Sequence, residues 1–524
     1  MILLSNIKIK GLPEEQDLKK TAAKALRISE NDIACVKLAR KSVDARNKAD
    51  VHFNCKLFVE CKNEYALVKK NKNAAFYSEE EFIFPEGKTC SVRPVVVGFG
   101  PAGMFAALTL ARAGLRPIVL ERGEDADTRL KSVTEYWKGG VLNKNSNVQF
   151  GEGGAGTFSD GKLATGIKDS LCKTVLKEFA AHGAKQNILY DAKPHIGTDI
   201  LISVVKNIRG EITALGGEVH FGAKMTEICL ENNAVNAVKY EENGNEITLG
   251  AEHIILAVGH SARDTFEHLK ALGVELVRKP FSMGVRIEHK QTDINKSQYG
   301  ESAKFSYLPA ADYKLAVHPD GRGVYTFCMC PGGVVVSSAS EENTYVTNGM
   351  SYNARDKENA NSAVLVSVLP EDIEGDDVLA GIYLQRSIEL KAFELTNGQG
   401  LPAQTVGDFL NNKVSADFGS VKPSVKPGAV PTDLNALYPP FITNALKQAL
   451  PLMGKKLNGF DSPDAVLTAP ETRSSCPVRI VRNEKMQSSV SGLIPAGEGA
   501  GYAGGITSAA VDGIRAALSV IENI

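Results

Sequence analysis

The chain has 524 residues, more than one hydrophobic core usually organises, so two or three domains are expected. With 43% hydrophobic and 23% charged residues and a formal net charge of -1, it is neither a disordered chain nor a polycationic coat for nucleic acid. Nine cysteines are an odd and sparse set, unlike a secreted disulfide framework, which predicts reduced thiols and a cytoplasmic setting.

The opening run MILLSNIKIKGLPEEQ has neither a basic leader nor a small-residue cleavage site, so no signal peptide is expected, and no apolar run suits a membrane span. Residues 1–90 read as a small α+β unit: ILLSNIKIKGL alternates like a strand, EEQDLKKTAAKALRI repeats at helical spacing, and ACVKLARKSVD and VHFNCKLFVEC alternate again. A ferredoxin-like arrangement is the expectation. This unit carries 17 Lys and Arg against 13 Asp and Glu, with ARKSVDAR its most basic stretch. A solvated strand edge accounts for that surplus, with RNA or an acidic protein partner as the alternative. YSEEEFIFPEGKTC then reads as a linker.

From Val95, VVVGFGPAGMFAALTLARAGLRPIVLERG spells strand, tight turn, helix, strand. Gly98 permits the turn, Gly100 lets the backbone approach a pyrophosphate, Pro101 and Ala102 open the helix, and Gly103 lets helix and strand pack closely. The helix start offers unpaired N–H groups to phosphate. Glu121, followed by Arg122, ends the second strand, where a carboxylate would accept hydrogen bonds from both ribose hydroxyls. The spacing predicts a dinucleotide site within residues 91–279.

GGEVHFGAKMTEICLENNAVNAVKYEENGNEITLG reads as successive strands, and AEHIILAVG delivers a further strand ending at Gly259. Residues 280–479 are expected to form an inserted substrate or cap domain, and residues 480–524 return to the nucleotide fold. There GLIPAGE is a short strand ending at Gly497 and Glu498, and Gly504, Gly505 and Ile506 begin a helix. Three such segments suit FAD, whose length demands grips far apart along the chain. Glu498 would take a ribityl hydroxyl, and the last helix start would stabilise charge developing at flavin N1 and O2. No second GxGxxG is found, so a dedicated NAD(P)H domain is not expected, and NAD(P)H would dock transiently as an electron donor.

These motifs resemble the glutathione-reductase-type FAD fold. VQFGEGGAGTFSDGKL, KPFSMGVRIEH, YTFCMCPGGVVV and ETRSSCPVRI are further similar to a bacterial family of FAD-dependent dehydrogenases with unassigned substrate. The resemblance implies that the first of these loops runs beneath the flavin, which makes Thr157, Ser159, Asp160 and Lys162 candidates for flavin or substrate contacts. Cys328 and Cys330 form a Cys-x-Cys whose side chains would share one face of a strand; they could relay electrons to flavin, but a reading as inert small hydrophobes is preferred. Cys476 stands where the resemblance implies serine, which argues against an indispensable thiol there. Arg286, His289, Arg473 and Arg479 are possible anion contacts, and no metal site is expected.

The expected fold is therefore α/β: a Rossmann-like FAD-binding domain with an inserted cap and a small α+β N-terminal domain. The expected function is oxidoreduction through flavin N5 on a small-molecule substrate. An FAD-containing RNA- or protein-binding module and a flavin monooxygenase are the alternatives.

Overall fold

A computed structural model describes residues 1–13, 15–79 and 81–524. The first unit runs β1 (Ile2–Ile9), α1 (Glu15–Leu26), β2 (Ile33–Asp44), β3 (His52–Cys61), α2 (Glu64–Lys70) and β4 (Ala74–Phe76). Its antiparallel sheet has the order β2-β3-β1-β4, a split β-α-β connectivity. Alternate residues Phe53, Cys55, Leu57 and Val59 of β3 are buried, as period-two patterning dictates. The outer strand β2 does not end in solvent. Lys41 N donates to Tyr190 O and Ala192 N donates to Lys41 O, so residues 190–192 pair with it, and the Lys41 ammonium meets Asp191 at 3.0 Å.

A five-stranded parallel sheet follows, built from β5 (Val95–Val97), β6 (Ile118–Glu121), β7 (Glu218–Phe221), β11 (Ile254–Leu256) and β22 (Leu493–Pro495), in the order β22-β11-β5-β6-β7. Its three central strands and β22 are buried throughout, because helices cover the face bearing Val96, Val119, Ile255 and Ile494, while residues 223–240 and 266–274 cover the face bearing Val95, Val97, Ile118 and Leu120. Helix α3 (Pro101–Arg112) is apolar all round and buried from Ala102 to Ala111, which suits a helix enclosed by the sheet and by α12 (Ile506–Asn523). Helices α4 (Ala126–Trp137), α5 (Leu171–Ala181) and α6 (Thr198–Ala214) lie between β6 and β7 in the chain. Strands β8 (Lys224–Glu231), β9 (Ala234–Glu242) and β10 (Asn245–Gly250) form a separate antiparallel sheet, and α7 (Arg263–Ala271) follows β11.

Strands β12 (Leu276–Arg278) and β21 (Val478–Ile480) pair antiparallel. Between them lies a large mixed sheet of β13 (Phe281–Lys290), β14 (Ala316–Val317), β15 (Val324–Ser337), β16 (Thr347–Met350), β17 (Asn359–Val368), β18 (Leu401–Thr405), β19 (Ala429–Pro431) and β20 (Val466–Glu471). Helices α8 (Gln291–Tyr299), α9 (Ala380–Leu395), α10 (Val406–Leu410) and α11 (Pro440–Gly454) accompany it. Strand β13 is buried from Phe281 to His289 although it carries Arg286, Glu288 and His289, so those groups need partners inside. Arg286 donates to both oxygens of Glu471 at 2.7 Å, and Glu288 accepts from Ser424 and Asn359. Among the described residues no helix is long and apolar enough to cross a membrane.

Candidate functional site

Where β5 ends, the chain turns at Gly98 with φ +97°; a Cβ there would lie 2.5 Å from Ala257 O. At Gly103 a Cβ would lie 1.9 Å from Gly98 O, so the first turn of α3 is pressed against the loop that precedes it. The N-cap residues of α3 and α12, Gly100 and Gly505, carry no side chain to cap the first N–H groups, and among the described residues these helix starts have no side-chain cap. Both starts open on one cavity of about 320 Å³. Gly98, Gly100, Pro101, Ala102, Glu121, Arg122, Gly259, Glu498, Gly504, Gly505 and Ile506 line it. Segments hundreds of residues apart therefore converge.

Gly103 and Gly497 stand behind the lining. A Cβ on Gly497 would meet Ala102 Cβ at 2.7 Å, so these two glycines serve packing rather than contact. Gly259, Gly504 and Gly505 differ: a Cβ on any of them meets no protein atom within 4 Å, which leaves a cradle open on the cavity side. Uncapped helix starts and open glycine backbone are the donor set that a dinucleotide with a pyrophosphate and an electron-accepting ring requires. The residues fit FAD.

Glu121 corrects one expectation. Its Oε1 accepts from Gly123 N and Gly151 N at 2.9 Å, and its Oε2 accepts from Phe99 N at 2.7 Å. Three of its four lone-pair positions are thus taken, leaving room for one ribose hydroxyl rather than two. The carboxylate also pins the 147–152 loop against the turn after β5. Arg122 lies over the Phe150 ring at 4.4 Å and pairs with Asp264 at 3.0 Å. Glu498 faces the cavity with His260 Nδ1 3.3 Å away.

The glycine-rich loop 151–163 divides its polar residues. Thr157 is buried and turns its hydroxyl to Glu152 O at 3.2 Å, away from the cavity, so it leaves the candidate set. Ser159, Asp160 and Lys162 line the cavity. Asp160 is fully buried and held by Arg355, whose Nε donates to it at 3.0 Å, with the Lys162 ammonium at 3.5 Å. Burial would raise the Asp160 carboxyl, but Lys162 and Arg355 hold it below the ordinary value. Burial likewise opposes charge on Lys162, yet Cys330 and Asp160 keep its ammonium above the usual range.

From the large sheet come Phe327, Cys328, Asn348, Glu471, Arg473 and Ser474. Cys330 does not reach the cavity; it is buried behind Cys328. The shared strand face fails because β15 bulges between Phe327 and Cys330 and Cys328 has φ +45°. Of the proposed anion contacts, Arg286 is spent on Glu471, His289 is buried between Tyr313 and Phe460, and Arg479 lies over Tyr502 at 5.0 Å. Arg473 reaches the wall but is paired with Glu389 at 2.7 Å.

Several supporting residues escape sequence reasoning. Arg129, fully buried, donates to the carbonyls of Asn147, Val148, Gly151 and Glu152 and so fixes the loop that Glu121 also holds. Its one signal is position: it shares the buried face of α4 with Ala126 and Val133, where a charge is out of place. Asp512 accepts from Gly497 N at 2.7 Å and from Arg482, setting the turn before Glu498. Glu389 of α9 gathers Arg263, Arg473 and Thr472 into one buried cluster joining α7 to the large-sheet unit. The basic N-terminal stretch is largely satisfied at home, with Lys41 on Asp191 and Arg46 on Asp44.

Comparison with known proteins fits this geometry. Residues 91–267 match an FAD binding domain, residues 280–474 match an FAD-dependent protein, C-terminal domain-like, and residues 1–60 match a domain of unknown function. An uncharacterized protein of Clostridium beijerinckii is 48% identical over 529 residues, spanning 99% of this chain and 98% of that one. The chain belongs to the same family as this clostridial protein. FAD is its cofactor. Among solved structures, a geranylgeranyl bacteriochlorophyll reductase-like protein of Thermoplasma acidophilum is 14% identical, with 83% of this chain and 79% of that chain covered and a TM-score of 0.38. A flavoprotein/dehydrogenase of Cytophaga hutchinsonii is 12% identical over 83% and 78% of the two chains, with a TM-score of 0.35.

Proposed function

We propose that the protein is an FAD-dependent oxidoreductase that moves a hydride between flavin N5 and a small organic substrate, with residues 280–479 acting as the cap that completes the substrate side. The observation that carries this reading is the single cavity walled by Gly98–Ala102, Gly259 and Gly504–Ile506 on one side and by Phe327, Cys328, Asn348 and Ser474 on the other. Bound FAD supplies two-electron hydride chemistry. The uncapped start of α3 would hold the pyrophosphate, and Glu121, with one lone-pair position left, would hold the adenosine ribose. The uncapped start of α12 would offer partial positive charge to the negative charge that grows on the flavin when it is reduced. Lys162 meets Asp160 at 3.5 Å and donates to Met329 O, but Asp160 also pairs with Arg355, so this cluster keeps one net positive charge beside the wall for an anionic substrate, whereas Arg473 is neutralised by Glu389. One parallel sheet with a glycine turn of this kind is present among the described residues, so NAD(P)H as donor would dock transiently against the same wall.

Protein purified aerobically is expected to be yellow, to release FAD on denaturation, and to bleach on anaerobic reduction. Colourless protein that FAD does not reconstitute overturns the reading. The lone nucleotide unit also suits a flavin monooxygenase, and rapid reoxidation by oxygen with oxygen inserted into a substrate would move the assignment there.

A further inference from the structure

Where β15 forms the large-sheet wall of the cavity, the strand is irregular. Pairing of β15 with β17 slips between Phe327 and Cys330 and again between Cys330 and Gly333, and Cys328 between the slips adopts φ +45°. A left-handed conformation is strained for a residue with a Cβ, and bulges of this kind re-aim a side chain. Here the distortion turns Cys328 into the cavity lining while Cys330 stays fully buried behind it, its Sγ 3.3 Å from Cys328 O. Two cations clamp the distorted peptides: Arg286 Nη1 donates to Cys328 O at 3.3 Å, and Lys162 Nζ donates to Met329 O.

The two sulfurs sit in different surroundings, Cys328 on the cavity and Cys330 buried behind it. Hydrogen bonding from Cys330, reinforced by Lys162 and Arg286 against the effect of burial, lowers the Cys328 thiol below its ordinary value. The Cys330 thiol is pushed up, by its link to Cys328 and by burial. Cys476 supplies the contrast: it is also buried, its Sγ rests 3.5 Å from Gly499 O, and burial pushes its thiol up to about 12, as for an inert packing cysteine. A sulfur open to the cavity beside two cations, with a second sulfur buried two residues on, is the arrangement that dithiol–disulfide interchange uses.

We propose that Cys328 and Cys330 form a redox-active dithiol that exchanges an electron pair with the flavin. In the oxidative direction the two sulfurs form one S–S bond, the S–H bond of Cys330 breaks, and two electrons with that proton pass to oxidised flavin. Reduction of the disulfide is the reverse. The proposal rests on FAD occupying the cavity as argued above.

Two readouts on the holoprotein test it. Anaerobic dithionite titration of protein first oxidised with diamide should consume four electrons per flavin, falling to two in Cys328→Ser and in Cys330→Ala. Trypsin should release residues 323–355 as one peptide carrying both cysteines, because no Lys or Arg interrupts it. From oxidised protein that peptide should be lighter by two hydrogens and resist iodoacetamide, and from reduced protein it should take up two labels. Two-electron uptake by yellow wild-type protein, with both cysteines alkylated in every state, overturns the dithiol and leaves the flavin assignment standing. Protein that binds no FAD overturns both.

Discussion

Replacing Glu389 by Gln keeps the shape of the side chain and removes one buried charge. In the wild type the fully buried carboxylate takes Arg263 Nη1 and Nη2, Arg473 Nε and Nη2, and the Thr472 hydroxyl, all between 2.6 and 3.0 Å. Arg263 retains Glu341 at 2.8 Å, but Arg473 is left without an anion. Breaking a buried pair by removing one partner costs about 3–5 kcal/mol. The surviving Glu341 contact places this variant near about 3 kcal/mol, a shift of roughly 1 M in urea midpoint for a slope of about 3 kcal/mol/M. The protein carries one tryptophan, and its indole N–H donates to Ser337 O at 2.9 Å, tying α4 to the large sheet. Fluorescence of Trp137 therefore reports separation of the two units that Glu389 joins. A midpoint moved by less than about 0.2 M would refute the claim that this cluster holds them together.

The same carboxylate fixes a pH dependence. Burial opposes its charge, but Arg263 and Arg473 bring the folded-state value down to about 2, against about 4.3 for an exposed glutamate. Between those values the unfolded chain binds the extra proton, so stability present above about pH 4.3 is lost as pH falls towards 2, and the wild-type urea midpoint should drop more steeply there than that of Glu389→Gln. Gly103→Ala forces a methyl to within 1.9 Å of Gly98 O, so α3 must move off the turn; FAD retention on gel filtration should fall at least about tenfold, with stability lowered by about 1–3 kcal/mol. Gly505→Leu meets no protein atom near its Cβ and has extended φ 172°, so the apoprotein should melt where wild-type apoprotein does while FAD binding is lost. Equal loss of apoprotein stability in that variant would show that Gly505 packs rather than cradles.

What the sequence discloses depends on how local its cause is. The turn at Gly98, the start of α3 at Pro101, the acid ending β6 and the helix beginning at Ile506 follow from neighbours a few residues apart, and glycine or proline in such patterns has few other uses. The alternation in β1 and β3 is likewise visible because each has one buried face. The buried ionic clusters are not local. Arg263 and Glu389 are 126 residues apart, and Asp160 and Arg355 are separated by 195, so neither member announces its partner. Thr157 misleads because a polar residue in a glycine loop can cap its own backbone as readily as face a ligand. Cys328 misleads because period two assumes an unbroken strand, and the bulge lies at that residue.

The pairing of residues 190–192 with the outer strand of the first sheet bears on how the chain tolerates being shortened. A strand margin left bare seeks another chain, and natural proteins shield such margins. Here the shield is reciprocal, since Lys41 both receives the Tyr190–Ala192 segment and seats its ammonium against the Tyr190 and Phe53 rings. Deleting the first unit to obtain a smaller flavoprotein would strip a covering from both partners at once, and insolubility rather than a clean catalytic core is the outcome to plan for.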